Sequence, residues 1–257
     1  MRSNPVKEKL ARGETAFGTM VFEFASPGTA TVLAGAGAEY VIYDMEHSGI
    51  SEEEIKRQIA YCRGQDIVPL VRPPDKSYAT TARLLDIGSM GLVYQMVESR
   101  EEAETIVSWA RYPPRGVRGA MFGGAHDDYS GGNVSAKIAG AEARTMVIAL
   151  IETAKGVEAV DEILAVRGID AAYVGHYDLS LTMGIPGEFD HPDFDAAIGK
   201  IVAACRKHDK PAGCLAPNVE WGRAWMARGF RMVAYSIDIA LLGGALQAGI
   251  AGLKAQD

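Results

Sequence analysis

Residues 40–54 read Tyr-Val-Ile-Tyr-Asp-Met-Glu-His-Ser-Gly-Ile-Ser-Glu-Glu-Glu, and the order of that stretch decides the fold. Its first four residues are aromatic or β-branched and uninterrupted by polar ones, which predicts a short strand buried on both faces, as in a parallel sheet. Ser51 followed by Glu52, Glu53 and Glu54 predicts a helix start. The serine caps the first turn, Glu54 stands at the capping-box position, and the acidic run suits the positive end of the helix. Strand, polar loop and helix make one βα unit. The loop that carries Asp44, Glu46, His47 and Ser48-Gly49-Ile50 then lies at the C-terminal end of its strand, where barrel enzymes build their sites.

The same alternation recurs outward in both directions. Short apolar runs lie at 16–21, 40–43, 67–71, 91–94, 145–151, 171–175, 212–216 and 232–237. Helical stretches lie at 51–63, 80–87, 100–111, 155–165, 193–207 and 219–227. Eight such runs with helices between them predict an α/β fold, a single-domain (β/α)8 TIM barrel spanning 1–257. An open doubly wound sheet is the less economical arrangement, because no Gly-rich dinucleotide loop follows the first run. Residues 112–140, with Pro113, Pro114 and seven glycines, read as a loop-rich insertion, functional or an oligomer contact. Residues 239–257 read as a helical tail.

Composition narrows the function classes. With 257 residues, 48% of them hydrophobic, the chain can bury one sizeable core. A net charge of −7 argues against a nucleic-acid partner, which needs a basic surface. The most apolar stretch, 237–253, is broken by Asp238, Gln247 and glycines, so no membrane span is expected. The first 18 residues carry Lys7, Glu8, Lys9, Arg12 and Glu14 without an apolar segment, unlike a signal peptide. The three cysteines, Cys62, Cys205 and Cys214, show neither disulfide nor metal spacing and read as buried, reduced thiols of a cytoplasmic protein.

Polar residues collect where the apolar runs stop. Asp44, Glu46 and His47 follow the second run, Arg72 the third, Glu152 the fifth, His176 and Asp178 the sixth, and Asp238 the eighth. In a barrel these positions converge on one mouth. Glu152 and Asp178 are hard oxygen donors on neighbouring strands and suit Mg²⁺ or Mn²⁺. They equally suit a role as carboxylates that satisfy helix N-termini. His47 can serve as a general base, and Arg72, in Val71-Arg72-Pro73, can hold a developing enolate oxygen or pair with Asp44 or Glu46. Gly175-His176-Tyr177-Asp178 offers backbone N–H groups to a small carboxylate. His126-Asp127-Asp128 reads as a solvated loop. No run contains a lysine, and Lys76 and Lys155 lie just beyond strand ends, so Schiff-base chemistry has no candidate.

Together these segments resemble the HpcH/HpaI aldolases, the metal-dependent class II pyruvate aldolases such as 4-hydroxy-2-oxoheptanedioate aldolase. The resemblance is carried by Asp44-Met45-Glu46-His47-Ser48-Gly49, Arg72-Pro73, Leu84-Leu85-Asp86-Ile87-Gly88, 111–119, Ile151-Glu152-Thr153, 175–180 and Leu215-Ala216-Pro217. It implies Glu152 and Asp178 as metal ligands, for Mg²⁺ or Mn²⁺ with Co²⁺ or Zn²⁺ as alternatives. It further implies Arg72 as the group that holds the 2-oxo oxygen, and His47, oriented by Asp86, as acid–base catalyst through a water on the metal. Arg72, Leu215 and the backbone at Tyr177 and Asp178 would contact the substrate. The partners implied are a 2-oxo acid and an aldehyde, within a homohexamer that exchanges its C-terminal helix. The same enolate residues serve an oxaloacetate decarboxylase or a thioester lyase equally well, and a non-catalytic binding barrel is the third reading. The chain departs from the family pattern at Gln95, Gly124, Leu150 and His176.

Overall fold

The computed structural model describes residues 1–255; residues 256 and 257, the end of the expected tail, lie outside them. Eight parallel strands close into a barrel in the order of the chain. They are β1 (Ala16–Val21), β2 (Tyr40–Asp44), β3 (Val68–Arg72), β4 (Gly91–Tyr94), β5 (Met146–Ile151), β6 (Ala171–Val174), β7 (Ala212–Ala216) and β8 (Phe230–Ile237). The (β/α)8 expectation holds.

The helices are α1 (Pro5–Ala11), α2 (Thr29–Gly35), α3 (Glu52–Cys62), α4 (Tyr78–Asp86), α5 (Arg100–Ala110) and α6 (Val134–Arg144). They continue with α7 (Ala154–Glu158), α8 (Val160–Ala165), α9 (His176–Thr182), α10 (Pro192–Lys207), α11 (Val219–Arg228) and α12 (Asp238–Lys254). The capping box at Ser51 forms: its hydroxyl accepts the Glu54 N–H, and the Glu54 carboxylate accepts the Ser51 N–H at 3.1 Å. Each such cap is worth about 1 kcal/mol.

Two apolar layers are sorted by strand parity. Tyr40 and Ile42 of β2, and Met146, Ile148 and Leu150 of β5, fill the barrel interior. Val41, Tyr43, Val147, Ala149 and Ile151 face outward against the helices. Both sets are buried, which explains why the strands read as unbroken apolar runs rather than as alternation. At the end where the strands begin, Val6 and Leu10 of α1 join the interior layer. Asn4 caps that helix and donates to the Arg144 carbonyl at 2.9 Å, so the N-terminal segment stoppers the barrel.

Two sequence expectations need correction. The stretch 112–140 is not loop throughout: Asn133 caps α6, accepting the Ala136 N–H at 3.1 Å, and a 3-10 turn spans Ala125–Asp127. His126-Asp127-Asp128 is not a solvated loop either. Asp127 is buried and accepts from the Gly123 N–H at 2.7 Å and from Lys137 Nζ at 2.6 Å, while Asp128 sits among Arg2, Arg63 and Arg144. These cations come from segments far apart in the chain, so nothing local announces the cluster.

At the opposite end, α12 leaves the barrel with none of its residues buried, and Leu242, Leu246 and Leu253 stand exposed. No helix among the described residues is long and apolar enough to cross a membrane. All three cysteines are free and buried.

Candidate active site

The C-terminal ends of the strands surround a cavity of about 240 Å³. Its floor is the top of the interior layer, with Met20, Ile42, Val93, Leu150 and Tyr173, and its rim carries His47, Arg72, Glu152 and the 175–178 turn. Apart from Leu150, the floor residues escaped sequence reading because an inward position differs from an outward one only by parity within an apolar run.

Arg72 ends β3 just before Pro73 and is buried to 7% exposure, which demands compensation. Its Nε and Nη2 both bond the carboxylate of the fully buried Asp44, and its Nη1 lies 3.1 Å from Glu46. Asp44 also accepts the His47 N–H at 2.6 Å, and the Ser48 hydroxyl donates to the Asp44 carbonyl. One buried carboxylate therefore fixes both the guanidinium and the backbone of the loop that presents His47. The His47 ring stays largely exposed, with Nε2 3.6 Å from Glu46. The Phe22 ring centroid is 5.7 Å from the guanidinium carbon and covers its outer side.

Glu152 follows β5 directly and is 2% exposed. Its Oε1 accepts the N–H of Met96 at 2.8 Å. Met96, just after β4 and beside Glu152 at the neighbouring strand end, has a φ of 46°, a left-handed conformation that is unusual outside glycine. Burial pushes the Glu152 carboxyl up to about 8, and the negative charges of Asp178 and Glu46 add to that, against the Met96 amide and Arg72. Asp178, in the first turn of α9, lines the same cavity. A buried carboxylate held beside other carboxylates fits a hard divalent cation, which would replace the lost hydration and neutralise the mutual repulsion. No cluster of three or more His, Cys, Asp or Glu suited to a metal exists among the described residues, so such an ion would rest on two protein ligands and complete its shell from water and substrate.

Tyr177 is exposed above the cavity, and Leu215 of β7 contributes to its wall. Lys76 pairs with Glu102 and Lys155 with Glu98, both away from the cavity. Asp86 is placed elsewhere. It ends α4, and because barrel helices run antiparallel to their strands it lies at the end opposite His47. There it bonds Arg118 at 2.6 Å.

The departures also take their places. Leu150 is part of the cavity floor. Gln95 donates to the Pro73 carbonyl at 3.2 Å, bracing the turn after Arg72. His176 is buried against Tyr177, Trp221 and Phe189, with ring centroids 4.6, 4.8 and 5.2 Å away. Burial drives its pKa down to about 4, so it is neutral near pH 7. Gly124 caps the 3-10 turn near Asp86, outside the cavity wall.

A closed parallel barrel with one anchored arginine and carboxylates at the C-terminal ends of its strands has the layout of a (β/α)8 enzyme. The chain belongs to the HpcH/HpaI aldolase/citrate lyase family, whose profile matches residues 19–244. It is 34% identical over 240 residues to a hydroxypyruvate/pyruvate aldolase of Roseobacter denitrificans, covering 93% of each chain. It is 33% identical to a 5-keto-4-deoxy-D-glucarate aldolase of Shigella dysenteriae, covering 95% of this chain and 94% of that one. Among solved structures, the HpcH/HpaI aldolase of Desulfitobacterium hafniense superposes with a TM-score of 0.92 at 32% identity, over 97% of this chain and 96% of the other.

Proposed function

We propose that this protein is a metal-dependent aldolase that cleaves a 4-hydroxy-2-oxo acid to pyruvate and an aldehyde, or runs the addition in reverse. The observation that carries the reading is the facing of Arg72 and the Glu152–Asp178 pair across one small cavity with no lysine in its wall. A divalent cation such as Mg²⁺ or Mn²⁺, held by Glu152 and Asp178, would supply the positive charge that stabilises an enolate.

The protein's own groups do the rest. The N–H groups at the start of α9, around Tyr177 and Asp178, receive the substrate carboxylate. Arg72, already oriented by Asp44, donates to the 2-oxo oxygen and holds the charge that gathers there as the C3–C4 bond breaks. His47 takes the proton from the C4 hydroxyl, the aldehyde leaves, and the electron pair stays as the enolate. The proton that His47 took is then returned to C3, which gives pyruvate and restores the histidine. Leu215 and the apolar floor exclude water from C3.

Asp86 can orient His47 only from a second copy, since the two lie at opposite ends of one barrel. The exposed leucines of α12 support the same assembly, a homo-oligomer with hexamer as the family expectation, in which another copy covers that helix. The reduced thiols fit a cytoplasmic setting.

The test is exchange of pyruvate methyl protons with deuterated solvent, followed by NMR with added Mg²⁺ or Mn²⁺. Exchange that EDTA abolishes is expected. Full exchange by metal-stripped protein, or borohydride trapping of a lysine adduct, would overturn the reading.

A further inference from the structure

Asp238 stands at the junction of β8 and α12 and spends both carboxylate oxygens on backbone amides. Oδ1 accepts the N–H of Phe22 at 3.1 Å and that of Ile239 at 2.9 Å. Oδ2 accepts the N–H of Glu23 at 2.9 Å and that of Phe24 at 2.7 Å. Three of these amides belong to the segment that leaves β1, and they come from consecutive residues. Such a row of N–H groups makes a concave nest for an anion. A carboxylate receiving several amide bonds is held more firmly than a neutral acceptor, because each bond is charge-assisted.

What the nest holds in place is part of the cavity. Phe22 lines it and lies over Arg72. Just below, β1 and β8 lose their regular register between Gly18 and Met20, and Ser236 takes a φ of 56°. The Thr19 hydroxyl bonds the carbonyls of Tyr235 and Ser236 at 2.9 and 3.2 Å across that irregularity. Pairing resumes at Met20 with Ile237, the last pair of the ladder, and beyond it the Asp238 carboxylate carries the tethering onto the segment that leaves β1.

We infer that Asp238 is a positioning residue for the substrate cavity: it fixes the backbone of Phe22, Glu23 and Phe24, and through it the Phe22 ring over Arg72, and it ties that ring to the first turn of α12. The inference rests on the cavity being the substrate site, but its mechanical part stands apart from any activity.

The experiment compares Asp238→Ala with the unaltered protein in two readouts. Hydrogen–deuterium exchange of the amides of Phe22, Glu23 and Phe24 is expected to quicken by about tenfold or more, as their acceptor is gone. In the pyruvate proton-exchange assay KM is expected to rise by about tenfold with a smaller change in kcat, as a displaced wall costs binding first. Mn²⁺ affinity should not change, because Glu152 and Asp178 do not touch this segment. Phe22→Ala should raise KM in the same way, and the double variant should add nothing further.

Unchanged amide exchange at 22–24, or full additivity with Phe22→Ala, overturns the inference. If Asp238→Ala does not assemble, Asp238→Asn carries the same comparison, since it keeps one oxygen and loses the other. Protein that shows no pyruvate exchange before any substitution refutes the aldolase reading instead, and the amide exchange still decides the role of Asp238.

Discussion

Gly175 and Glu152 sit on adjacent strand ends, and the absent side chain of the first makes room for the carboxylate of the second. A Cβ on Gly175 would lie 2.7 Å from the Glu152 Cβ, closer than real contacts allow. Gly175 has an ordinary φ of −90°, so the requirement is for space and not for backbone freedom. Gly175→Ala is expected to push the Glu152 carboxylate aside and weaken Mn²⁺ binding by about tenfold or more, with the barrel intact. Calorimetric titration with Mn²⁺, beside a circular dichroism spectrum, checks both parts.

Arg72 and Asp44 are a buried pair in which neither partner tolerates being left alone. Arg72→Ala strands the Asp44 carboxylate at 0% exposure, so a loss of about 3 kcal/mol in stability is expected together with loss of exchange activity. Arg72→Lys keeps the charge but not the fork that serves Asp44 and Glu46 together. Exchange should fall by about 100-fold with a smaller loss of stability. Urea unfolding and the NMR exchange rate separate the two effects.

Glu152 makes the metal-free protein sensitive to pH. Its folded carboxyl titrates at about 8, above the range of an unfolded glutamate near 4.3. Between those values the folded state holds a proton that the unfolded state has lost. Stability is therefore greatest at the acid end of the window and declines as pH rises toward 8, by on the order of 1 kcal/mol per pH unit from this group. Thermal melts of EDTA-treated protein from pH 5 to pH 8 should show that decline, Glu152→Gln should flatten it, and saturating Mn²⁺ should reverse it. A melt profile identical in Glu152→Gln would contradict the assignment.

The placement of Asp86 yields a test by mixing. If it serves His47 of another copy, His47→Ala and Asp86→Ala are each inactive as pure assemblies. Co-expressed, they form some sites that carry both native residues and recover activity. Recovery in co-expressed protein, and none when the two are purified separately and mixed without subunit exchange, is the expected pattern.

The strands were legible because most of their residues are buried on both faces and read as short apolar runs; β1 and β8 still read so although Phe17 and Tyr235 stand exposed. Helices with amphipathic stripes and polar caps, such as α3 and α5, were legible for the matching reason. The short helices were not: α2 is seven residues of Thr, Ala, Val, Leu and Gly with little periodicity, and α9 begins inside what reads as a turn. The stretch expected as one helix at 155–165 is two, α7 and α8, meeting at Ala159. At the site, the rim could be read because a polar residue ends an apolar run, as at Arg72 and Glu152. The amide of Met96 and the nest around Asp238 could not, since their function resides in main-chain direction, which no side-chain identity encodes.

The barrel interior also carries a consequence for how this pocket can change. Gly18 and Gly213 have no side chains, and each is overlaid by an aromatic ring from a neighbouring strand: a Cβ on Gly18 would come within 2.6 Å of the Tyr40 ring, and one on Gly213 within 2.9 Å of the Tyr173 ring. Tyr173 is at once cavity floor and the filler of that slot. Trimming it to leucine would deepen the pocket downward while Arg72, Glu152 and Asp178 stay where they are. The floor of the cavity and the rim that carries Arg72, Glu152 and Asp178 thus lie on separate storeys of the barrel, so the depth of the pocket can change from below while the rim groups keep their places.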